Sequence, residues 1–305
     1  ARRSGSGRPV ESWEVTARRV AVNVLGALGY GPDSEVVRET QELIAARKFL
    51  PGGRYLYAAG RPYSQVNNCF LAYCEDTREG WADVCWKATM VLMTGGGIGV
   101  NYSNVRPKGA SVHRTGGVAS GPLSPMRMVN EIGRDVMQGG SRRSAIWAGL
   151  SWQHPDVDEF IRLKDWRPEL RALKAEDVSL PMEMELTNIS VCLDDDFFAA
   201  YASPTHPRHA RAHDVYWTAL RRMAKTGEPG FSVDVGANAH ETARNPCCEI
   251  TSADDSDVCN LGSLHLGRLE SRNELKHALE LATLFLLAGT VYSDVPYPRV
   301  AEVRE

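Results

Sequence analysis

Apolar residues recur at helical spacing in two stretches near the start of the chain, Trp13, Ala17, Val20 and Val24, then Val36, Thr40, Leu43 and Ile44. Each stretch follows a serine, Ser12 or Ser34, whose hydroxyl can accept from the first amides of a helix. The pattern predicts two helices, closed by Gly29 and Gly52. Trp81, Val84, Cys85, Ala88 and Leu92 predict a third helix, starting near Glu79 and running straight into the glycine run at 95–99. Ser124-Pro125 signals a fourth over Met126, Val129, Ile132 and Val136, with Gly139-Gly140 as its stop. Residues 145–150 read as a buried strand, and Pro155, Val157, Phe160 and Ile161 as a helix after it. Ile189, Val191 and Leu193 alternate as a strand. Asp214, Trp217, Leu220 and Met223 read as a helix, and residues 273–287 as a longer, mostly buried one. No internal repeat is visible, and the one linker-like segment is 203–213. Strands alternating with helices predict an α/β fold with parallel strands.

Composition narrows the class without naming a function. The 305 residues are 43% hydrophobic and 24% charged, with a net charge of −3, as in an ordinary soluble enzyme. That balance gives no broad pull towards nucleic acid or an anionic membrane, so a phosphate site would be local. The longest apolar stretch, around 281–291, is broken by Thr283, Gly289 and Thr290 and is too short to span a bilayer. The polar start, Ala1 to Pro9, lacks the apolar core of a signal peptide and reads as a flexible lead-in. Seven cysteines without C-x-x-C spacing or a histidine pair argue against a disulfide scaffold and against a structural zinc site. A reducing, cytoplasmic compartment is the natural expectation.

Candidate chemistry gathers around cysteine, amide and carboxylate groups. In Asn245-Pro246-Cys247-Cys248-Glu249 an extended backbone would put Asn245, Cys247 and Glu249 on one side. That set suits chemistry at a sugar hydroxyl; the alternative is a strand with a small buried hydrophobe. The glycine run fits neither the dinucleotide fingerprint nor the nucleotide P-loop. It could offer amides to an anion, let a ligand approach the main chain, or form a plain turn. Arg142 and Arg143 could grip a phosphate or stack on a base, or be solvated surface. Asp194-Asp195-Asp196 and Asp254-Asp255 are read as caps and turns. Cys74, Cys85 and Cys192 are read as core thiols, whereas Cys69, after a Gly/Pro-rich loop, stands where a reactive sulfur would be placed.

Several of these motifs, in order, resemble the large catalytic chain of ribonucleotide reductases: Asn67-Asn68-Cys69-Phe70, the glycine run through Asn101, residues 138–145, Thr187-Asn188-Ile189-Ser190-Val191, Asn245-Pro246-Cys247-Cys248-Glu249 and Cys259-Asn260-Leu261-Gly262-Ser263. The resemblance spans nearly all of residues 40–300. Residues 51–60 and 249–257 make it most similar to the adenosylcobalamin-dependent (class II) branch.

The resemblance implies a ten-stranded α/β barrel of two parallel half-sheets, with a loop carrying a radical cysteine through its middle. Residues 1–50 would form a helical N-terminal region, and 51–305 the first half-barrel with the start of the second. Cys247 would become a thiyl radical through adenosylcobalamin and take the 3′ hydrogen of a ribonucleotide. Glu249 would accept the 3′-hydroxyl proton, with Asn245 anchoring the hydroxyl. Cys69 and Cys259 would supply the reducing equivalents and end as a disulfide, restored by a thioredoxin or glutaredoxin-type reductant. Asn68, Gly97 and Gly99 would line the substrate pocket. Arg142 and Arg143, with a loop near 108–116, would respond to a deoxynucleoside triphosphate or ATP effector.

The same resemblance reads the chain as a fragment, without the family's later phosphate loop and C-terminal cysteine pair, and without an N-terminal regulatory extension. A barrel cut there would expose a sheet edge that invites association, as in a homodimer. Cys248 is expected to pack. Two alternatives accompany this reading: an iron-dependent class I chain needing a separate radical-generating subunit, and a non-catalytic nucleotide-binding fragment.

Overall fold

The computed structural model of the chain describes residues 11–113, 116–134, 136 and 144–304. The chain divides into two compact units: Phe70–Asp257, and the segments that precede and follow it, up to Cys69 and from Val258 onward.

The Phe70–Asp257 unit is a βα layer structure. Its strands lie in the order Gly230–Asp234, Thr187–Asp194, Ile146–Ser151, Gly97–Asn101 and Cys69–Tyr73, the last beginning at the final residue of the other unit. The first four are parallel neighbours, with Ile98 opposite Ile146, Ile146 opposite Thr187 and Ser190 opposite Gly230. Helices Arg78–Thr94, Leu123–Ile132, Val157–Ile161, Pro168–Glu176, Asp195–Ala202 and His209–Thr226 supply the connections. The central strands are buried almost throughout, as expected where a parallel sheet is covered on both faces. Trp147 and Trp152 are fully buried, and each indole N–H is satisfied, by Ser190 Oγ at 2.9 Å and by Asp194 Oδ1 at 2.8 Å. The α/β expectation with parallel strands is what forms.

The second unit packs helices Trp13–Gly26 and Glu35–Ala45 with Arg272–Tyr292 around Val20, Val24, Ile44, Phe49, Tyr55 and Phe285. A short antiparallel pair, Phe49–Pro51 with Gly262–Leu264, joins this core. Ser12 caps the first helix, accepting from the Val15 amide.

Several boundaries differ from the sequence expectation. The second helix stops at Ala45, where Arg47 takes φ 58°, so Gly52 closes nothing. The helix from Leu123 ends at Ile132 on Gly133, whose carbonyl accepts from Ser144 Oγ at 2.8 Å and where a Cβ would meet Ile146 Cδ1 at 2.6 Å. Gly139-Gly140 lie outside the described residues. Half of the presumed linker 203–213 belongs to helix His209–Thr226, where His213 stacks on Tyr201 with ring centroids 4.1 Å apart. The acidic triplet is structural as expected: Asp194 caps helix Asp195–Ala202 by accepting from Phe197 N. Among the described residues no helix is long and apolar enough to cross a membrane.

Candidate active site

After strand Gly230–Asp234 the chain forms a narrow hairpin. Ala243–Arg244 pairs antiparallel with Thr251–Ser252, and the tip between them holds Asn245 to Ile250. The Asn245 carbonyl accepts from the Cys248 amide at 3.0 Å, which places Pro246 at the second position of the turn, where its fixed φ fits. Asn245 Oδ1 accepts from Ile250 N at 3.2 Å and braces the turn from inside, its side chain fully buried. Cys248 takes φ 69°. The expected extended alternation is therefore not what forms, because the proline turn reverses the chain between Asn245 and Cys248.

The turn sorts the two neighbouring sulfurs. Cys247 is exposed at the apex, and so is Glu249, while Cys248 is half-buried and hydrogen-bonded to Ser190. Burial pushes the Cys248 thiol up to about 11, against the pull of the Ser190 hydrogen bond and the Arg244 charge. Cys248 packs, as expected. Cys74 is likewise buried and pushed up to about 12, and burial raises Cys192 and Cys85 as well, which keeps these thiols protonated and inert.

The glycine run explains how the hairpin is seated. Helix Arg78–Thr94 ends on Gly95 at φ 89°, and Gly97–Asn101 continues as a buried strand where a loop was expected. A Cβ on Gly97 would lie 2.7 Å from Pro246 Cγ, and one on Gly99 only 2.0 Å from the Arg244 carbonyl oxygen. Asn101 Nδ2 donates to the Thr242 carbonyl at 2.9 Å. Each step of two residues along the strand thus meets a step of two backwards along Thr242–Pro246. Close approach to the main chain was anticipated for a ligand; here the protein's own hairpin makes it.

The other unit holds the second group of candidates. Asn68 N donates to the Cys259 carbonyl at 2.9 Å, so Cys69 is one residue from the backbone partner of Cys259, although 190 positions separate them in sequence. Both cysteines are buried, at 5% and 3% exposure, and the expectation of an exposed sulfur at Cys69 is corrected: the strand it opens is covered. Asn67 Nδ2 donates to Asn260 Oδ1 at 2.8 Å, and Asn260 in turn donates to Thr290 Oγ1 at 2.6 Å, so amides on both sides lock the register of the two cysteine segments. Asn68 Nδ2 is buried with no hydrogen-bond partner, and a Cβ on Gly52 would meet it at 2.7 Å. Gly52 therefore makes room for the Asn68 amide. A buried donor left open is costly unless a ligand satisfies it.

Arg142 and Arg143 lie outside the described residues. Within Phe70–Asp257, the loop near 108–116 is closed by a bridge between Ser111 and Val118 and by Ala119 N donating to the Ala110 carbonyl. Beside it opens a cavity of 410 Å³ lined by residues including Arg78, Trp81, Arg106, Val112 and Val118. Thr77 caps helix Arg78–Thr94 at its rim, accepting from Gly80 N. The sequence reading places Trp81 on a helix and does not single out Arg106; their shared position at one cavity is visible only in the fold.

Two overlapping stretches, residues 67–208 and 201–305, match the family described as ribonucleotide reductase, barrel domain. The chain belongs to that family. The sheet with its four parallel neighbouring strands fits a barrel domain of this family. The large chain of ribonucleoside-diphosphate reductase from Schizosaccharomyces pombe is 28% identical over 85% of this chain and 36% of its own length. The vitamin B12-dependent ribonucleoside-diphosphate reductase of Mycobacterium tuberculosis is 28% identical over 97% of this chain and 45% of its own. That of Thermoplasma acidophilum is also 28% identical, over 82% and 34%. The chain therefore spans less than half the length of these relatives, and relatives of both descriptions match equally well, so neither branch is singled out.

Proposed function

We propose that this chain is the catalytic part of a ribonucleotide reductase that removes the 2′-hydroxyl of ribonucleoside diphosphates or triphosphates by thiyl-radical chemistry. The observation that carries the proposal is the Asn68–Cys259 backbone hydrogen bond, which brings two cysteines from opposite ends of the sequence into neighbouring positions. Antiparallel neighbours lie about 5 Å apart, within the roughly 7 Å between Cα atoms that a disulfide can bridge.

In this mechanism the Cys247 sulfur, as a thiyl radical, takes the hydrogen from C3′ and becomes a thiol. Glu249, exposed two residues further on, accepts the 3′-hydroxyl proton, and Asn245 orients that hydroxyl. The 2′-hydroxyl leaves as water with a proton from one thiol of the Cys69/Cys259 pair, the other thiol supplies the hydrogen that replaces it at C2′, and the pair, having given up two electrons, closes as a disulfide while Glu249 returns its proton to the 3′ oxygen. Return of the hydrogen from Cys247 to C3′ completes the deoxyribonucleotide and regenerates the sulfur radical. The open donor of Asn68 supplies a hydrogen bond to the ribose, and Gly97 and Gly99, covered by the hairpin, seat Cys247 rather than line the pocket. A thioredoxin or glutaredoxin-type protein then reopens the disulfide.

The radical source we favour is adenosylcobalamin, which when bound supplies a carbon-centred radical by homolysis of its cobalt–carbon bond. Exposure of Cys247 at a turn apex fits a radical delivered from outside the hairpin, and Cys247 is the group of this chain that such a cofactor must reach. Turnover that requires adenosylcobalamin and no iron-containing partner protein supports this branch; turnover only with such a partner overturns it.

Cys69→Ser and Cys259→Ser are each expected to abolish multiple turnover with dithiol reductant while leaving hydrogen exchange at C3′ detectable. Tryptic mapping after one turnover should find a Cys69–Cys259 disulfide in the wild type. Unimpaired steady-state turnover in either variant excludes the redox pair.

The same proposal assigns the 410 Å³ cavity to the effector nucleotide. The helix N-terminus after Thr77 favours phosphate, the Arg78 and Arg106 guanidinium groups would turn to it from their pairs with Glu79 and Asp76 in the same lining, and Trp81 offers a ring for the base. Arg106→Ala should weaken deoxynucleoside triphosphate binding about tenfold, the worth of one charge-assisted contact, read by quenching of Trp fluorescence. Undiminished affinity removes the cavity from consideration.

A further inference from the structure

The hairpin that carries Cys247 is held at its base by one buried ion pair. Arg244 is 4% exposed, and its guanidinium donates to Ser232 Oγ, to the Val233 carbonyl and to the Glu241 carbonyl, each at 2.9 Å, and to the carboxylate of Asp234. Ser232, Val233 and Asp234 belong to the last strand of the sheet, so three of the four bonds from this single side chain tie the hairpin stem to the sheet, and the fourth, to the Glu241 carbonyl, braces the stem itself. We propose, on the reading of Cys247 given above, that Arg244 and Asp234 are a positioning pair that fixes the depth of the Cys247 sulfur and makes hairpin docking depend on the ionisation of Asp234.

Three groups face Asp234 from the elements around it: Arg244 on the hairpin, and Asp194 and Cys192 on the adjacent strand. Burial lifts the Asp234 carboxyl to about 6, with Asp194 adding to the shift and Arg244 opposing it. A cavity of 250 Å³, lined by Tyr73, Asn101, Ser151, Asp194, Asp234 and Thr242 among others, gives water a route to the pair. Two linkage relations follow, with opposite signs. Against the unfolded chain, a raised carboxyl contributes stability that is lost as pH climbs from the ordinary carboxylate range to about 6. Against a state in which the hairpin lifts while the sheet stays intact, Asp234 remains buried and loses Arg244, so its carboxyl rises further. Docking of the hairpin therefore strengthens as pH rises above about 6, whereas the Asp234 contribution to global stability has already declined below that pH.

The test uses the full-length enzyme, with Asp234→Asn and Arg244→Lys, and reads hydrogen–deuterium exchange in residues 243–252, corrected for intrinsic rates, beside steady-state kinetics. In the wild type, exchange in this segment should rise as pH falls towards about 6 and level off below it, with kcat falling in parallel. Asp234→Asn should exchange about tenfold faster at pH 7, lose the pH dependence and lower kcat about tenfold, with substrate KM within about twofold. Arg244→Lys should recover part of the protection, since one donor is kept. Unchanged exchange at 243–252 in Asp234→Asn, or an unchanged pH dependence, overturns the proposal. If either variant fails to fold, Ser232→Ala, which removes one of the four bonds, should give a smaller rise confined to the same segment, and no rise there likewise overturns it. Exchange is read independently of turnover, so retained activity in Cys247→Ser would sink the catalytic reading and leave the hairpin result standing.

Discussion

Cys247→Ser in the full-length enzyme is expected to reduce ribonucleotide reduction to background while leaving thermal unfolding within about 0.5 kcal/mol of the parent, the range of surface substitutions away from special features. The side chain is exposed at the apex of a turn closed by the Asn245 carbonyl and the Cys248 amide, and neither group involves the Cys247 sulfur. Exchanging sulfur for oxygen there should leave the turn intact. The chemistry changes completely, since an alcohol O–H bond is far stronger than a thiol S–H bond and a serine cannot reach the radical state under the same driving force. Loss of any radical signal that depends on substrate and cofactor should accompany loss of product. Product formation above background in this variant refutes the role of Cys247. Cys248→Ser, whose thiol is half-buried and held protonated, should keep most activity and serves as the neighbouring control.

Gly99→Val should be the most damaging substitution outside the reacting groups. The first carbon of any side chain at this position would fall 2.0 Å from the Arg244 carbonyl oxygen and 2.9 Å from the Asn245 carbonyl carbon, main-chain atoms that cannot swing aside as a side-chain end can. Overpacking of this kind costs about 1–3 kcal/mol and at times more. The hairpin can avoid the clash only by lifting off the strand. Denaturant unfolding should show a loss of at least about 2 kcal/mol, and turnover should fall about 100-fold, because displacement of a reacting group by about 1 Å has consequences of that order. Gly31→Ala, where nothing lies within 4 Å, provides the comparison. A Gly99→Val enzyme of normal stability and turnover would show that the hairpin does not depend on contact with this strand.

Regular periodicity made the helices legible. Trp81, Val84, Ala88 and Leu92 identify helix Arg78–Thr94 because one face is buried and Gly95 can take the left-handed cap. The strand Gly97–Asn101 was hidden because glycine carries no hydropathy pattern, and the reason for the glycines, a second stretch of backbone lying on them, is tertiary. Strand Gly230–Asp234 was missed: five residues directly after Pro229 offer too little alternation. Histidines and arginines masked the start of helix His209–Thr226, where His209 and His213 donate to the Ala200 and Tyr201 carbonyls and Arg211 pairs with Asp158. At the candidate site, residue types announced the cysteines, the glutamate and the asparagines, but the backbone shape at Asn245–Cys248 did not follow from alternation. A proline turn with Cys248 in a left-handed conformation overrode it. Arg244 and Asp234 are common residues in unremarkable surroundings, and only their burial reveals the pairing.

The matched contacts of Gly97 with Pro246, Gly99 with Arg244 and Asn101 with Thr242 act as a ruler. A strand advances about 3.3 Å per residue, so one residue inserted or deleted between Thr242 and Cys247 would carry the sulfur that far along its track. It would also turn a side chain toward the glycine floor where bare backbone now lies. Loop length, ordinarily the feature most tolerant of change in a protein, is tightly constrained in this segment by the backbone it lies on.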